Sequence, residues 1–435
     1  MNQISISDRG ARRIRKGHLW VYRSDVKQPS SVAGGTVVRV SDETGNFVGQ
    51  AFYSDRSEIA LRFLTTGDEP IDREWWRTRL GACAARRAAI ARETNAYRLV
   101  YSEGDLLPSL IVDFYYDVLV LQTLSQGTDL LTTMLVELLS EELNPRAIVE
   151  RNEARVRALE GLEVRSGLLY PFTTAQASRS LTAENAEVYA ETRRETGAGR
   201  PTVSEGKPAS AQTSASSAVN SPLEVEINQH GVRFLVSPLT GQKTGAFLDQ
   251  RENYLAARRV AHGRALDCFT FAGAFALHMA PVCESVLGID ISAEAIAAAC
   301  RNAQLNGLRN AEFREANVFD ALREMEAAGE RFDTIILDPP AFAKNRASIA
   351  AAARGYKEIN LRALKLLNPN GVLVTCSCSH HITEEMFLDI IGDAALDARR
   401  RVQIIERRGQ SSDHPVLVGV PETHYLKCVV GRVIE

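Results

Sequence analysis

Three apolar runs that each finish on a chemically active group limit what this chain can fold into. Val286–Asp290 reads as a buried strand ending in an acid, and Thr334–Phe342 (TIILDPPAF) as a second one broken by Asp338-Pro339-Pro340. A third, Gly371–Thr375, runs into Cys376-Ser377-Cys378-Ser379. Short continuous apolar runs alternating with helical patterns belong to the parallel strands of an α/β sheet covered on both faces. Ligands of such sheets bind outside the carboxyl ends of the strands. The acid, the DPP turn and the cysteine all fall there, so this half is expected to be a Rossmann-like catalytic domain to which the rest of the chain presents a substrate.

The chain has 435 residues, too many for one ordinary core, and two or three domains are expected. No apolar run reaches the roughly 18 residues of a membrane span, and the amino terminus lacks the apolar centre of a signal peptide. Seven cysteines (Cys83, Cys268, Cys283, Cys300, Cys376, Cys378 and Cys428) are sparsely spread without paired metal-ligand spacing. That pattern fits reduced thiols in a cytoplasm and gives no metal site. The net charge of −3 offers no global attraction to nucleic acid, but residues 1–30 carry seven Lys or Arg against two acids. A small basic domain of this kind suits phosphate contacts; the plainer alternative is a solvated surface.

Residues 1–70 alternate short β-like runs (Leu19–Tyr22, Thr36–Ser41, Phe47–Tyr53, Ile59–Phe63) with Gly-rich turns, which predicts a small β-barrel. Arg12, Arg13, Arg15 and Lys16 stand beside Trp20, a pairing that serves phosphate contact and stacking, although Trp20 reads first as a core residue. Residues 74–238 read as an α+β module: helices Glu74–Asn95 and Thr128–Ser140, the latter capped by Thr128, strands Tyr97–Val100, Ser109–Phe114, Val118–Thr123 and Ala147–Arg151, and a hairpin of Leu223–Ile227 with Val232–Ser237. Within it, about 172–222 is expected to be a disordered insert, since Thr192–Pro222 has no aromatic residue and too little apolar surface to offset its ordering entropy. From 239 to 435 strands and helices alternate as a doubly wound sheet, with Gln403–Glu406 and Tyr425–Val430 as antiparallel additions.

The first strand of that sheet ends in Asp267-Cys268-Phe269-Thr270-Phe271-Ala272-Gly273, with a single glycine in the turn. The G-x-G-x-x-G cradle for a pyrophosphate is absent, which disfavours NAD. Asp290, seventeen residues after Gly273, is placed to accept hydrogen bonds from ribose hydroxyls. A nucleoside cofactor without phosphates fits better, and that points to S-adenosylmethionine. The prolines of Asp338-Pro339-Pro340 stiffen the turn so that Asp338 can bond the polar edge of a base, while Phe342 can stack on its face. Beside a methyl donor a cysteine has a specific use: carbon 5 of a pyrimidine becomes nucleophilic only after a thiolate adds at carbon 6. Cys378 is read as that nucleophile and Cys376 as structural, with His380 and His381 near enough to aid deprotonation or simply exposed.

These residues carry a family resemblance. From Gly241 to the end the chain resembles the class I S-adenosylmethionine-dependent methyltransferases that make 5-methylcytosine in 23S ribosomal RNA, through GQKTGAFLDQR (241–251), DCFTFAGAF (267–275), GID (288–290), LDPPAF (337–342) and SCS (377–379). RRIRKGHLWVY (12–22) resembles the opening of that family's RNA-binding PUA domain, and 74–170 with 223–238 its central module. The resemblance implies that Lys243, Thr244, Gly245, Phe247, Gln250 and Arg251 border the cofactor, together with Asp267, Phe269, Gly273, Asp290, Asn317 and Asp338. It implies Cys378 as nucleophile and Asp338 at the cytosine edge, with Arg12, Arg13, Arg15, Lys16, Pro339, Phe342 and Lys344 meeting the RNA. A homodimer is a further family-based expectation. Two departures stand out: Asn317 occupies a position where many relatives carry an acid, and the insert is atypical. Asn can still hydrogen-bond a cofactor. Competing readings are a guanine-N7 methyltransferase, which needs no cysteine, a PUA-bearing RNA-binding factor without catalysis, and a methyltransferase of DNA or a free metabolite, which the basic N-terminal domain disfavours.

Overall fold

The computed structural model describes residues 2–27, 32–171, 223–239, 241, 244–343 and 345–434. The insert expected at 172–222, and with it Lys243 and Lys344, lies outside the described residues.

The amino-terminal sheet contains β1 (Gln3–Ser5), β2 (Trp20–Tyr22), β3 (Val37–Ser41), β4 (Phe47–Tyr53) and β5 (Ile59–Thr65), in the order β1-β3-β4-β5-β2. Strand β1 and the helix Asp8–Arg15 were not foreseen. Ser7 caps that helix by accepting from the Gly10 amide, and its buried face consists of Gly10, Ala11 and Ile14. With so few apolar positions in eight residues, no helical period could show in the sequence.

The second sheet runs β10-β9-β8-β7-β6, from β6 (Ala96–Tyr101), β7 (Leu110–Tyr115), β8 (Val118–Thr123), β9 (Ala147–Asn152) and β10 (Arg165–Pro171). Side chains alternate across a strand, so Leu119 and Leu121 of β8 pack with Trp76, Leu80, Leu135 and Leu138 from helices Arg73–Arg87 and Thr132–Leu143. Val118 and Val120 face the other way, onto the hairpin of β11 (Val225–Gln229) and β12 (Val232–Val236) and onto Leu277 and Ala303 of the third layer. Two helix ends differ from the sequence reading. The first helix stops at Arg87, and the cap near 128 is Ser125, with Thr128 completing its capping box. Thr128 lies inside the first turn because Ser125 is the residue with extended backbone angles, the geometry a cap requires.

The third sheet contains β13 (Arg264–Cys268), β14 (Ser285–Asp290), β15 (Ala311–Glu315), β16 (Phe332–Leu337), β17 (Leu367–Ser377), β18 (Val402–Arg408) and β19 (Lys427–Val433). Its order is β15-β14-β13-β16-β17-β19-β18, parallel through β17 and antiparallel for the last two. Strand order reverses between β13 and β16, which is where a doubly wound sheet opens a ligand crevice. Ile335, Leu337 and Leu373 pack with Tyr356, Ile359 and Phe387 on one face, while Ile336, Val374 and Cys376 meet Tyr254, Phe275 and Met279 on the other. Each such side chain contributes roughly 1.5–3 kcal/mol by leaving water. Among the described residues no helix is long and apolar enough to cross a membrane.

One buried carboxylate joins the second and third layers. Asp413 Oδ2 accepts from the Arg98 amide on β6 (2.8 Å) and from Arg251 Nη1 (2.7 Å), Oδ1 lies 2.9 Å from His414 Nδ1, and its carbonyl accepts from Arg87 (2.8 Å). Burial raises the carboxyl's proton affinity, but the charges and hydrogen bonds of His414 and Arg251 overcome it and hold Asp413 well below the usual carboxylate range. Asp413→Ala leaves Arg251 buried without its partner and is expected to cost about 3–5 kcal/mol, measured by urea denaturation. Because the folded state binds this proton more weakly than the unfolded chain does, the Asp413 contribution is complete above the unfolded value of about 3.9 and is lost as pH falls through the folded one. Melting temperature measured from pH 6 downward should therefore fall less steeply in the variant than in the parent.

Candidate active site

The turn after β13 is held in an uncommon shape. Phe269, Phe271 and Gly273 all have left-handed backbone angles (φ +64°, +49° and +86°). For the two phenylalanines this costs about 1–3 kcal/mol each, so the surroundings must over-determine it. They do: Asp267 Oδ2 accepts from Thr270 Oγ1 (2.5 Å) and the Ala276 amide (3.0 Å), the Thr270 amide donates to Ile289 O (2.9 Å), and Asn302 Nδ2 donates to Ala272 O (3.1 Å). Asp267 is fully buried, its pKa is pushed up to about 7 by burial, and Oδ1 has no hydrogen-bond partner among the described residues.

Half-buried Asp290 closes this turn. Its Oδ2 accepts from the Phe271 amide and its Oδ1 from the Ser292 amide, each at 3.0 Å. A carboxylate can accept about four hydrogen bonds, so these two leave capacity for a diol. A cavity of about 250 Å³ beside it is lined by Gly245, Phe247, Phe271, Ala272, Ser292 and Asn302. Phe247 and Phe271 meet edge to face at 5.0 Å. The set fits a nucleoside, with a carboxylate free to accept from a ribose diol and aromatic walls to cover the flat face of a base.

The sequence-predicted residues do not all reach that groove. Gln250 Nε2 donates to Asp338 Oδ1 at 2.8 Å, linking the GQKTGAFLDQR segment to the DPP turn. Arg251 is instead buried on Asp413, and the Thr244 hydroxyl donates to Asp113 of the second sheet at 2.6 Å. Asn317 is exposed and caps the helix Val318–Ala327 by accepting from the Phe319 amide. Phe342 packs on Tyr356 at 4.7 Å and tilts against Phe319 at 6.0 Å, so it is a partly buried wall and not a free platform. On the Asp8–Arg15 helix Arg15 is paired with Asp42 (2.6 Å) and Arg13 lies over the Tyr22 ring, while Arg12 and Lys16 are exposed. Trp20 is half-buried and donates to Glu103 at 2.9 Å.

Cys378 lies just past the end of β17, half-buried, with Sγ 3.9 Å from Pro339 O. Its two neighbours are clamped by one tyrosine, which the sequence reading missed. Ser377 Oγ donates to Tyr356 Oη (3.0 Å), which lies 2.9 Å from Ser379 Oγ, and Ser379 Oγ accepts from the Ala343 amide (3.1 Å). The nucleophile candidate and the DPPAFA turn are thereby one hydrogen-bonded unit. Cys376 and Cys268 are buried; a bond to Cys428 and desolvation raise the Cys376 thiol well above its ordinary value, and burial does the same to Cys268. A second cavity, of about 370 Å³, separates the second sheet from this edge and is lined by Arg98, Gln122, Arg151, Asp249, His414 and Tyr425.

The geometry agrees with what the chain is similar to. Residues 4–66 match the family described as PUA-like domain, and residues 260–409 the one described as methyltransferase domain. The chain is 37% identical over 430 residues to the ribosomal RNA large subunit methyltransferase I of Tolumonas auensis, covering 97% of this chain and 96% of that one, and 36% identical to the Shewanella amazonensis protein of the same name over 97% and 96%. The chain belongs to the ribosomal RNA large subunit methyltransferase I family. Its fold is also that of a protein from Streptococcus mutans described as S-adenosylmethionine-dependent (TM-score 0.76, 18% identity, all of both chains). A protein described as a methyltransferase and solved with S-adenosylhomocysteine is equally similar (TM-score 0.77, 17% identity, all of both chains). The family assignment agrees with the groove's preference for a nucleoside. Asp290→Ala removes charge-assisted hydrogen bonds of about 1.5–3 kcal/mol, and calorimetry should show S-adenosylhomocysteine binding weakened by about 10- to 100-fold. Unchanged affinity would place the ribose elsewhere.

Proposed function

We propose that this protein methylates carbon 5 of a cytosine in 23S ribosomal RNA through a covalent adduct of Cys378. The observation that carries the proposal is the placement of Cys378, a half-exposed thiol fixed between two clamped serines at the strand ends and bonded to the carbonyl of the DPP turn. S-adenosylmethionine is the cofactor and supplies an electrophilic sulfonium methyl. Asp290 orients its ribose, and Phe247 with Phe271 walls its apolar side. Cys378, as thiolate, bonds to carbon 6 and makes carbon 5 an enamine carbon that takes the methyl as the sulfonium S–CH3 bond breaks. The carbon 5 proton then leaves to water, the C6–S bond breaks, and the thiolate is restored. Asp338, held by Gln250, accepts from the exocyclic amino group and so selects cytosine over uracil. The helix Asp8–Arg15 meets phosphates through Arg12 and Lys16.

Nucleoside mass spectrometry of unmodified 23S RNA incubated with the protein and S-adenosylmethionine should show new 5-methylcytosine. Cys378→Ala should abolish it while leaving S-adenosylhomocysteine affinity intact. Methylguanine among the products, or full activity of Cys378→Ala, would overturn the cytosine mechanism. Replacing Arg12 and Lys16 together by alanine should weaken RNA binding and flatten the dependence of log affinity on log salt by about 1–2, because each phosphate left without its cation keeps its counterion. An unchanged slope would move the RNA off that helix.

A further inference from the structure

Lys427 opens β19, directly opposite Ser377 of β17 in the antiparallel register. A lysine at a sheet position of this kind ordinarily reaches water or a carboxylate. Here the residue is 4% exposed, and its ammonium donates to two backbone carbonyls, Ser379 O at 2.7 Å and Tyr425 O at 2.8 Å. The first of these carbonyls belongs to the residue that follows the candidate nucleophile. Two of the ammonium's three protons are so used, and among the described residues no carboxylate lies within ion-pair distance of it. A buried cation held only by carbonyls keeps its desolvation cost unless an anion is close. Burial lowers its pKa to about 8, and the neighbour that pulls the other way is Cys378.

We propose that Lys427 is the counter-charge of Cys378, a positioning residue that stabilises the sulfur as a thiolate and fixes its loop through the Ser379 carbonyl. This rests on the reading of Cys378 as the nucleophile. Among the described residues the other groups around the sulfur do not supply the charge. Tyr356 on the helix Ile349–Leu366 is neutral, with burial raising its pKa, and Asp338 beyond the end of β16 is an acid. His380 is kept neutral by burial and by His381. Asp249 bonds the Tyr425 hydroxyl at 2.6 Å, and Glu422 bonds His18. Lys427 is thus the cation built into the wall, and a thiolate beside an ammonium forms at lower pH than a free thiol.

The test is the pH dependence of Cys378 alkylation by iodoacetamide in the full-length protein, followed on the Cys378 peptide by mass spectrometry. In Lys427→Gln, which retains two donors for the carbonyls but no charge, the midpoint should rise by about one pH unit and labelling at neutral pH should slow about tenfold. Lys427→Arg should restore most of the shift, and S-adenosylhomocysteine affinity should be unchanged in both. An unchanged midpoint in a Lys427→Gln protein that still binds S-adenosylhomocysteine overturns the proposal. If Lys427→Gln fails to bind, the parent decides: a midpoint no lower than that of a free thiol, about 8.5, overturns the proposal, and a lower one supports it. Alkylation needs no RNA, so this readout is independent of methyl transfer. A shifted midpoint with full methylation by Cys378→Ala would keep the ion pair and refute the nucleophile.

Discussion

The arrangement of the molecule depends on one buried carboxylate. Asp413 belongs to the loop between β18 and β19, yet its partners beyond that loop come from β6 of the second sheet, from the end of the helix Arg73–Arg87 and from the start of the helix Arg251–Val260. That helix follows directly on Gln250, whose side chain holds Asp338. A displacement of Asp413 would therefore pass through Arg251 and Gln250 to Asp338 of the DPP turn. Burying a charge this deeply is costly unless every hydrogen bond is made. Asp413 meets that condition with an amide, a guanidinium and an imidazole. The same segment continues to Thr423, whose carbonyl accepts from Tyr101, and to Glu422, which reaches His18 of the first layer. One loop thus registers all three layers against each other.

Strain at the turn after β13 has the opposite logic. Two phenylalanines in left-handed conformations would relax if their loop were free, and the bonds to Asp267, Ile289 and Asn302 prevent it. The consequence is that the Phe271 amide points at Asp290 and the Phe271 ring meets that of Phe247 at the groove. Asp267 braces this turn through one carboxylate oxygen, and its buried Oδ1 is the atom left over from that duty.

Period and punctuation made much of this legible in the sequence. Ile335, Ile336 and Leu337 announced a strand buried on both faces, and the alternation of faces is what the packing shows. Gly273, Asp290, Asp338 and Cys378 could be placed because each lies within a few residues of a strand end, where local pattern determines position. Tyr356, Lys427 and Asp413 could not. Tyr356 reads as one more apolar position on a helix, Lys427 as an exposed strand residue, and Asp413 as a loop acid. Each acquires its role through partners 21 to 326 residues away in sequence, as in Ser377 to Tyr356 and Arg87 to Asp413. Arg251 has the same character: its motif is local, but its ion pair is not. The Asp8–Arg15 helix escaped because its apolar face is too small to leave a period.

The basic amino terminus shows why a charge count overstates what an RNA would meet. Of the seven cations in residues 1–30, Arg9 is bonded to Asp25 at 2.8 Å, Arg15 to Asp42 at 2.6 Å and Lys27 to Glu43 at 2.9 Å. Asp42 lies far below the usual carboxylate range, held there first by the Thr44 hydroxyl and then by Arg15. A phosphate recruiting Arg15 must compete with that bond, whereas Arg12 on the same helix and Lys16 at its C-cap stand exposed. Few contacts of this kind give modest affinity that is sequence-independent. The cleft between the second sheet and the strand ends is lined differently. There Arg98 is already bonded to Asp113 and Arg151 to Glu153, leaving a polar but charge-balanced lining better matched to an extruded base than to a phosphate.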